Sequence, residues 1–244
     1  MTIERRVRII TDCDPCNPRT DWDCNVGRMI CWHSRYTMGD EHSYECDTFM
    51  RELACEHDSD LEEMLDCLEN EVLDKLYDQA GDNGCDTFDD KQEYVERLVR
   101  PLINELIENS VRDGYVILPV YMYDHGNIAL STGGFGCSWD SGQLGWIVCD
   151  QETIDKEFDG DKDKAKAALE SEVEVYSDYV NGSVYGFVAE QREQHEDTDE
   201  ADYADDDEWE EVASCWGYYG SDPETNGIKD AVGSDFADAE FIWE

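Results

Sequence analysis

Between Leu61 and Ala80 apolar residues recur at steps of three and four, at Leu61, Met64, Leu65, Leu68, Val72, Leu73, Leu76 and Ala80. That spacing lays one apolar stripe along a helix and is incompatible with a strand. Ser59 or Asp60 can cap its start, and Gly81 stands where a left-handed stop belongs. A short helix is expected from Glu45 to about His57. Another should cover roughly Asp90 to Asn109, with Tyr94, Leu98, Leu102, Ile103, Leu106 and Ile107 on one face and Pro101 kinking or dividing it.

On either side of this block the period changes. Arg5 to Thr11 alternates and is β-branched, which reads as a strand ending in the proline-broken stretch Asp12-Cys-Asp-Pro-Cys-Asn-Pro-Arg. Val26 to Tyr36 reads as a short strand. Tyr115 to Tyr123 and Ile128 to Thr132 flank Asp124-His-Gly-Asn and read as a hairpin. Trp146 to Cys149 is a further strand after the glycine-rich loop from Gly133 to Gly145. Gln151 to Phe158 and Lys162 to Tyr179 are helical, and Ser183 to Glu190 and Glu211 to Tyr219 are strands. Hairpin-joined strands with helices gathered in two amphipathic blocks predict an α+β fold with a mainly antiparallel sheet, organised as a single domain over residues 1–244.

Charge narrows the environment and the partners. The chain carries 62 acids against 18 Lys and Arg, for a net charge of −44. The segment 193–211 holds twelve acids and no Lys or Arg and reads as an acidic surface loop inserted in a hairpin. Taking those twelve from −44 still leaves −32, so the acidity is global. Such a surface repels phosphate, which disfavours direct nucleic-acid binding. One reading is salt adaptation, where dense carboxylates hold water and cations and Lys is scarce, here seven. The other is a carboxylate array that mimics a duplex and inhibits a host defence nuclease. The N-terminus lacks a continuous apolar h-region, and no apolar run approaches the roughly 18 residues of a membrane span. The expectation is an intracellular, soluble protein without membrane contact.

Chemistry-bearing residues concentrate between Trp22 and His42. Cys31 and His33 would share a face if their strand continued to Tyr36, and Asp40, Glu41 and His42 could fold back beyond Gly39. Cys31, His33 and His42 are therefore candidate ligands of a divalent metal, and Arg35 has the planar fork that suits a carboxylate or phosphate. The plainer alternative is a packed Trp-Cys-Trp corner with a hydrogen-bonded histidine. Cys13 and Cys16, with Cys24 and Cys31, could supply four thiolates to zinc, although the second half lacks the matching two-residue gap. Eleven cysteines without a secretion signal otherwise read as buried or free thiols. His125 at a hairpin tip and Asp140 in the next loop, with Cys137 or Cys215 nearby, would make a Cys-His-Asp arrangement. Trp22, Gln143 and Trp216 are candidate binding residues, with core packing the alternative for Trp216.

Five blocks carry a resemblance: Asn17-Pro-Arg with Trp22, Cys31-Trp-His-x-Arg-Tyr with Gly39-Asp-Glu-His, Tyr123-Asp-His-Gly-Asn-Ile, Cys137-x-Trp-Asp-Ser-Gly-Gln-x-Gly-Trp, and Ser214-Cys-Trp-Gly-Tyr-Tyr-Gly. Together they resemble an uncharacterised protein family of tailed phages and archaeal viruses. The resemblance implies viral origin and a place in the host cytoplasm, and it implies no reaction. The heavier acid load and the extra Cys13, Cys16 and Cys24 depart from it. The expected function is an accessory protein that binds a host or viral macromolecule. The rivals are a metal-dependent enzyme acting through His33, Asp40, His42, His125 and Asp140 on a phosphate-bearing small molecule or nucleotide, and a virion structural protein.

Overall fold

A computed structural model describes residues 2–80, 87–194 and 209–244. The predicted stop at Gly81 and most of the acidic segment, residues 195–208, lie outside the described residues. The fold is α+β with largely antiparallel sheets. The chain divides into two compact units, Met1–Asn25 with Val120–Gln143 and Glu170–Glu244, and Val26–Pro119 with Leu144–Leu169.

The first unit is built on a four-stranded sheet of order β7-β6-β1-β8, from β1 (Thr2–Thr11), β6 (Val184–Gln194), β7 (Glu210–Tyr219) and β8 (Glu240–Trp243). Strand alternation sorts its residues. Val7 and Ile9 point to one face and are fully buried with Phe187, Ala189, Ile228 and Phe236. Arg6 and Arg8 point to the other face, where the register sets Arg6 opposite Glu190. That carboxylate receives Arg6 Nε at 2.7 Å and Arg8 Nη2 at 3.1 Å, and Arg8 also reaches Glu244 at 2.9 Å. Helix α7 (Ile228–Val232) supplies Ile228 to the core. The sequence pattern indicated no element beyond Tyr219, because β8 has only four residues, too few to show a period, and pairs parallel with the distant β1.

The second unit places helices α1 (Phe49–His57), α2 (Leu61–Cys67), α3 (Leu73–Ala80) and α4 (Phe88–Gly114) with the strand β2 (Arg28–Cys31). Its core gathers Ile30, Phe49, Leu53, Leu65, Val111 and Val148. Each fully buried side chain of this size contributes roughly 1.5–3 kcal/mol. Two elements depart from the periodicity, and the first has a local cause. The Leu61–Ala80 stripe is split by a π-helical turn, Leu68–Val72, where the Asn70 side chain donates to the Asp66 carbonyl at 2.8 Å. A side chain on that carbonyl competes with the regular ladder. Helix α4 runs 27 residues and continues through Pro101. A Thr87–Asp90 capping box starts it, and Ser110 Oγ donates to the Ala54 carbonyl of α1 at 2.9 Å.

The remaining strands are β3 (Tyr115–Asp124), β4 (Ile128–Ser131) and β5 (Ser141–Asp150), in a sheet of order β2-β5-β3-β4. The predicted β3–β4 hairpin is present, with Tyr121 opposite Ser131. Strand β5 is longer than the Trp146–Cys149 core of its pattern, because Ser141 to Gly145 extend despite their glycines. Gly145 is required there: a Cβ would lie 1.9 Å from the Ile30 carbonyl oxygen of β2. Helices α5 (Gln151–Phe158) and α6 (Lys162–Asn181) match the second helical block. No helix among the described residues is long and apolar enough to cross a membrane.

Candidate functional site

Strand β2 ends at Cys31, so Cys31 and His33 do not share a strand face as the expected Val26–Tyr36 strand would require. The chain turns instead, and His33 Nδ1 accepts the backbone N–H of Arg35 at 3.2 Å and of Tyr36 at 3.1 Å. Its ring stacks on Tyr36 at 4.8 Å. That lone pair is committed to the loop.

Asp40 returns to β2 beside Gly39. Its carboxylate accepts the Met29 N–H at 2.7 Å while its own N–H donates to the Met29 carbonyl at 2.8 Å. Gly39 has φ +75, and a Cβ there would lie 2.4 Å from the Met29 oxygen. His42 Nε2 lies 3.0 Å from the Cys31 carbonyl, which can only accept, so Nε2 carries the hydrogen. The ring packs edge-on to Trp32 at 5.3 Å, and Nδ1 is buried without a hydrogen-bond partner among the described residues. These groups border an open depression of about 550 Å³. Cys31 is buried, and Arg35 lies exposed with its guanidinium 5.5 Å from the Tyr36 ring.

His125, Asp140, Cys137 and Gln143 belong to the other unit. The Asp124 N–H donates to the Asp140 carbonyl at 2.8 Å, tying the hairpin tip to the glycine-rich loop. Asp140 Oδ2 then lies 3.4 Å from His125 Nδ1 and 3.5 Å from Cys137 Sγ. The expected neighbourhood of carboxylate, imidazole and thiol therefore forms, but the thiol meets the carboxylate rather than the imidazole. An aspartate on Nδ1 leaves Nε2 as the basic nitrogen, and the His125 side chain is 70% exposed. Next to Asp140, Trp139 is 94% exposed.

His33, Asp40 and His42 thus fall in one unit, and His125 and Asp140 in the other. Among the described residues no group of three or more His, Cys, Asp or Glu converges as a metal site. Cys31, His33 and His42 accordingly make no three-ligand set, and Cys13, Cys16 and Cys24 are exposed free thiols.

The remaining aromatic candidates lie in the first unit. Trp22 packs edge-on to Tyr219 at 5.1 Å, and the Tyr219 hydroxyl donates to the Cys16 carbonyl. Burial and the nearby Cys16 and Asp12 push the Tyr219 phenol up to about 12. Trp216 lies so close over Gly186 that a Cβ there would come within 2.2 Å of its ring, yet it remains 48% exposed. Gln143 is exposed near the start of β5.

Two features escaped the sequence reading. Arg19 is buried on Glu172 at 2.7 Å, which makes the Asn17-Pro-Arg block an anchor for its loop. Strand β7 is the other: residues 210–217 are all exposed although it is a ten-residue strand. The signal was its sequence, since Val212-Ala-Ser-Cys-Trp216 has no charge yet no clean alternation of apolar and polar residues. No protein-family model matches the sequence, and no curated protein or solved structure is significantly similar to it.

Proposed function

We propose that the chain is an accessory protein of a virus, made in the host cytoplasm, that works by binding a host or viral macromolecule through the open edge of the β7-β6-β1-β8 sheet. The observation that carries this reading is β7 itself. It is the terminal strand of its sheet, exposed on both faces over 210–217, with Val212 and Trp216 each 48% exposed. A long edge strand presents unpaired N–H and C=O groups, and folded proteins ordinarily cover, shorten or charge such edges. Here the middle of the edge is uncharged.

Placing a photo-crosslinking side chain at Val212, and at exposed Glu152 as control, tests this in the host cell. Crosslinks from Val212 alone support the edge as the contact. Equal or absent crosslinking from Val212 refutes it. The acidity belongs to the same proposal as salt adaptation: circular dichroism should show the fold loosening below about 0.1 M salt, where screening is weak. A duplex mimic would stay folded there.

A second reading is favoured by one observation, the Asp140–His125 contact, which presents an exposed imidazole base. It predicts turnover of some substrate that disappears in His125→Ala with the fold intact.

A further inference from the structure

Resting on the binding reading above, we propose that the partner at β7 is a polypeptide segment that adds as a fifth, antiparallel strand. It carries apolar residues at alternate positions and Lys or Arg opposite Glu210 and Glu211.

Three properties of the edge select this occupant. The first is the backbone. Among the described residues β7 pairs with β6 along one side only, and the register shifts between Tyr185 and Phe187 and between Ala189 and Glu190 leave Ala213 to Cys215 running straight against Phe187 to Ala189. Gly217, at φ +86, closes that straight stretch. The outer side therefore offers a short regular ladder, which suits an extended peptide.

The second is side-chain pattern. Trp216 lies over Gly186 on one face, and Cys215 stands opposite Phe187 on the other. An added strand would lay alternate residues against Trp216.

The third is charge. Among the described residues neither Glu210 nor Glu211 has a cationic partner, and Glu211 accepts only from Ser214 Oγ, at 2.8 Å. Arg6 and Arg8 of this sheet reach Glu190, Arg192 reaches Glu4 at 2.7 Å, and Arg5 lies over the Phe236 ring at 5.7 Å. Arg6 and Arg192 also stack on Trp209, at 4.2 and 4.6 Å. Two exposed carboxylates thus open a strand whose middle is neutral, on a chain of net charge −44. A cationic end on the incoming strand matches them. A second copy of the chain would bring only more negative charge.

Calorimetry on the full chain tests this with three synthetic peptides. The first is acetyl-Thr-Val-Thr-Val-Thr-Lys-Lys-amide, the second has Glu-Glu as its tail, and the third is the first with alternate amides N-methylated on the edge facing β7. The lysine peptide should bind at least about tenfold tighter than the glutamate peptide, a difference of about 1.4 kcal/mol. The double variant Glu210→Lys/Glu211→Lys, both at exposed positions, should invert that preference, and N-methylation should abolish binding. Equal affinity for the two tails with sensitivity to N-methylation overturns the basic partner and leaves the strand edge standing. Binding indifferent to N-methylation, or no binding at all, overturns strand addition itself. Sedimentation as a dimer that Trp216→Lys dissociates would assign the edge to a second copy and also overturn the proposal.

Discussion

Removing the Glu190 carboxylate should cost more than any surface charge change in this very acidic chain. Glu190 sits with its side chain 9% exposed and receives Arg6 at 2.7 Å and Arg8 at 3.1 Å, whose side chains are 17% and 27% exposed. Deleting one partner of a buried ion pair costs about 3–5 kcal/mol, because the charges left behind stay desolvated. Here the cost is moderated. Arg8 keeps Glu244 at 2.9 Å, and Arg6 keeps the face of Trp209 at 4.2 Å. Glu190→Ala is therefore expected to lose about 2–4 kcal/mol, and Glu190→Gln about 1–2 kcal/mol, since the amide still accepts a hydrogen bond. With a urea slope of about 2 kcal/mol/M, the alanine variant should unfold about 1–2 M earlier than the parent. The comparison belongs at both about 0.15 M and about 1 M salt, where the screening length falls from about 8 to about 3 Å. Contacts near 3 Å in a half-dry setting escape that screening, so the difference between parent and variant should persist at high salt. A loss below about 1 kcal/mol, or one that vanishes at high salt, would show that the cluster behaves as a solvated surface pair and refute the reasoning.

Other sites give sharper or cheaper readings. Gly145→Ala should prevent the β2–β5 pairing, because the new methyl meets the Ile30 backbone oxygen at 1.9 Å; failure to obtain a cooperative unfolding transition is the expected result, and a stable protein would contradict the close approach. Burial and the neighbouring Glu174 raise the Asp178 carboxyl above its ordinary value. The fold then holds that proton more tightly than the unfolded chain, so stability should fall as pH rises through its titration, and Asp178→Asn should stabilise at neutral pH. Thermal melts of the variant at neutral and acidic pH check the sign. Burial also pushes the phenols of Tyr115, Tyr218 and Tyr219 up to about 12. Their contribution is complete below pH 10 and is lost as pH rises from about 10 to 12. An absorbance titration near 295 nm should show tyrosines ionising late and together with unfolding.

The candidate site divides along the same physical line as the fold. The pairing of Asp140 with His125 was legible because a tight turn and a glycine-rich loop at neighbouring strand ends bring their residues together whatever the remaining topology. His33 and His42 were not legible as backbone partners. That role depends on β2 stopping at Cys31, and nothing in Cys31-Trp-His-Ser-Arg-Tyr announces the stop. Glu190 looked like one acid among 62 until β1 aligned beside β6 and placed two guanidiniums on it.

Helices, hairpins and the acidic character follow from neighbours within a few residues of each other, since period, capping and turn chemistry are local interactions. The π-helical turn at Leu68–Val72 marks where a local rule met a competing contact, the Asn70 side chain on the Asp66 carbonyl. The order β7-β6-β1-β8, the parallel docking of β8 and the exposure of β7 depend on which distant strands share an edge. That choice is made by burying Val7, Ile9 and Phe187 against Ile228 and Phe236, residues up to 229 positions apart, so only the folded chain could decide that a ten-residue strand would be left exposed.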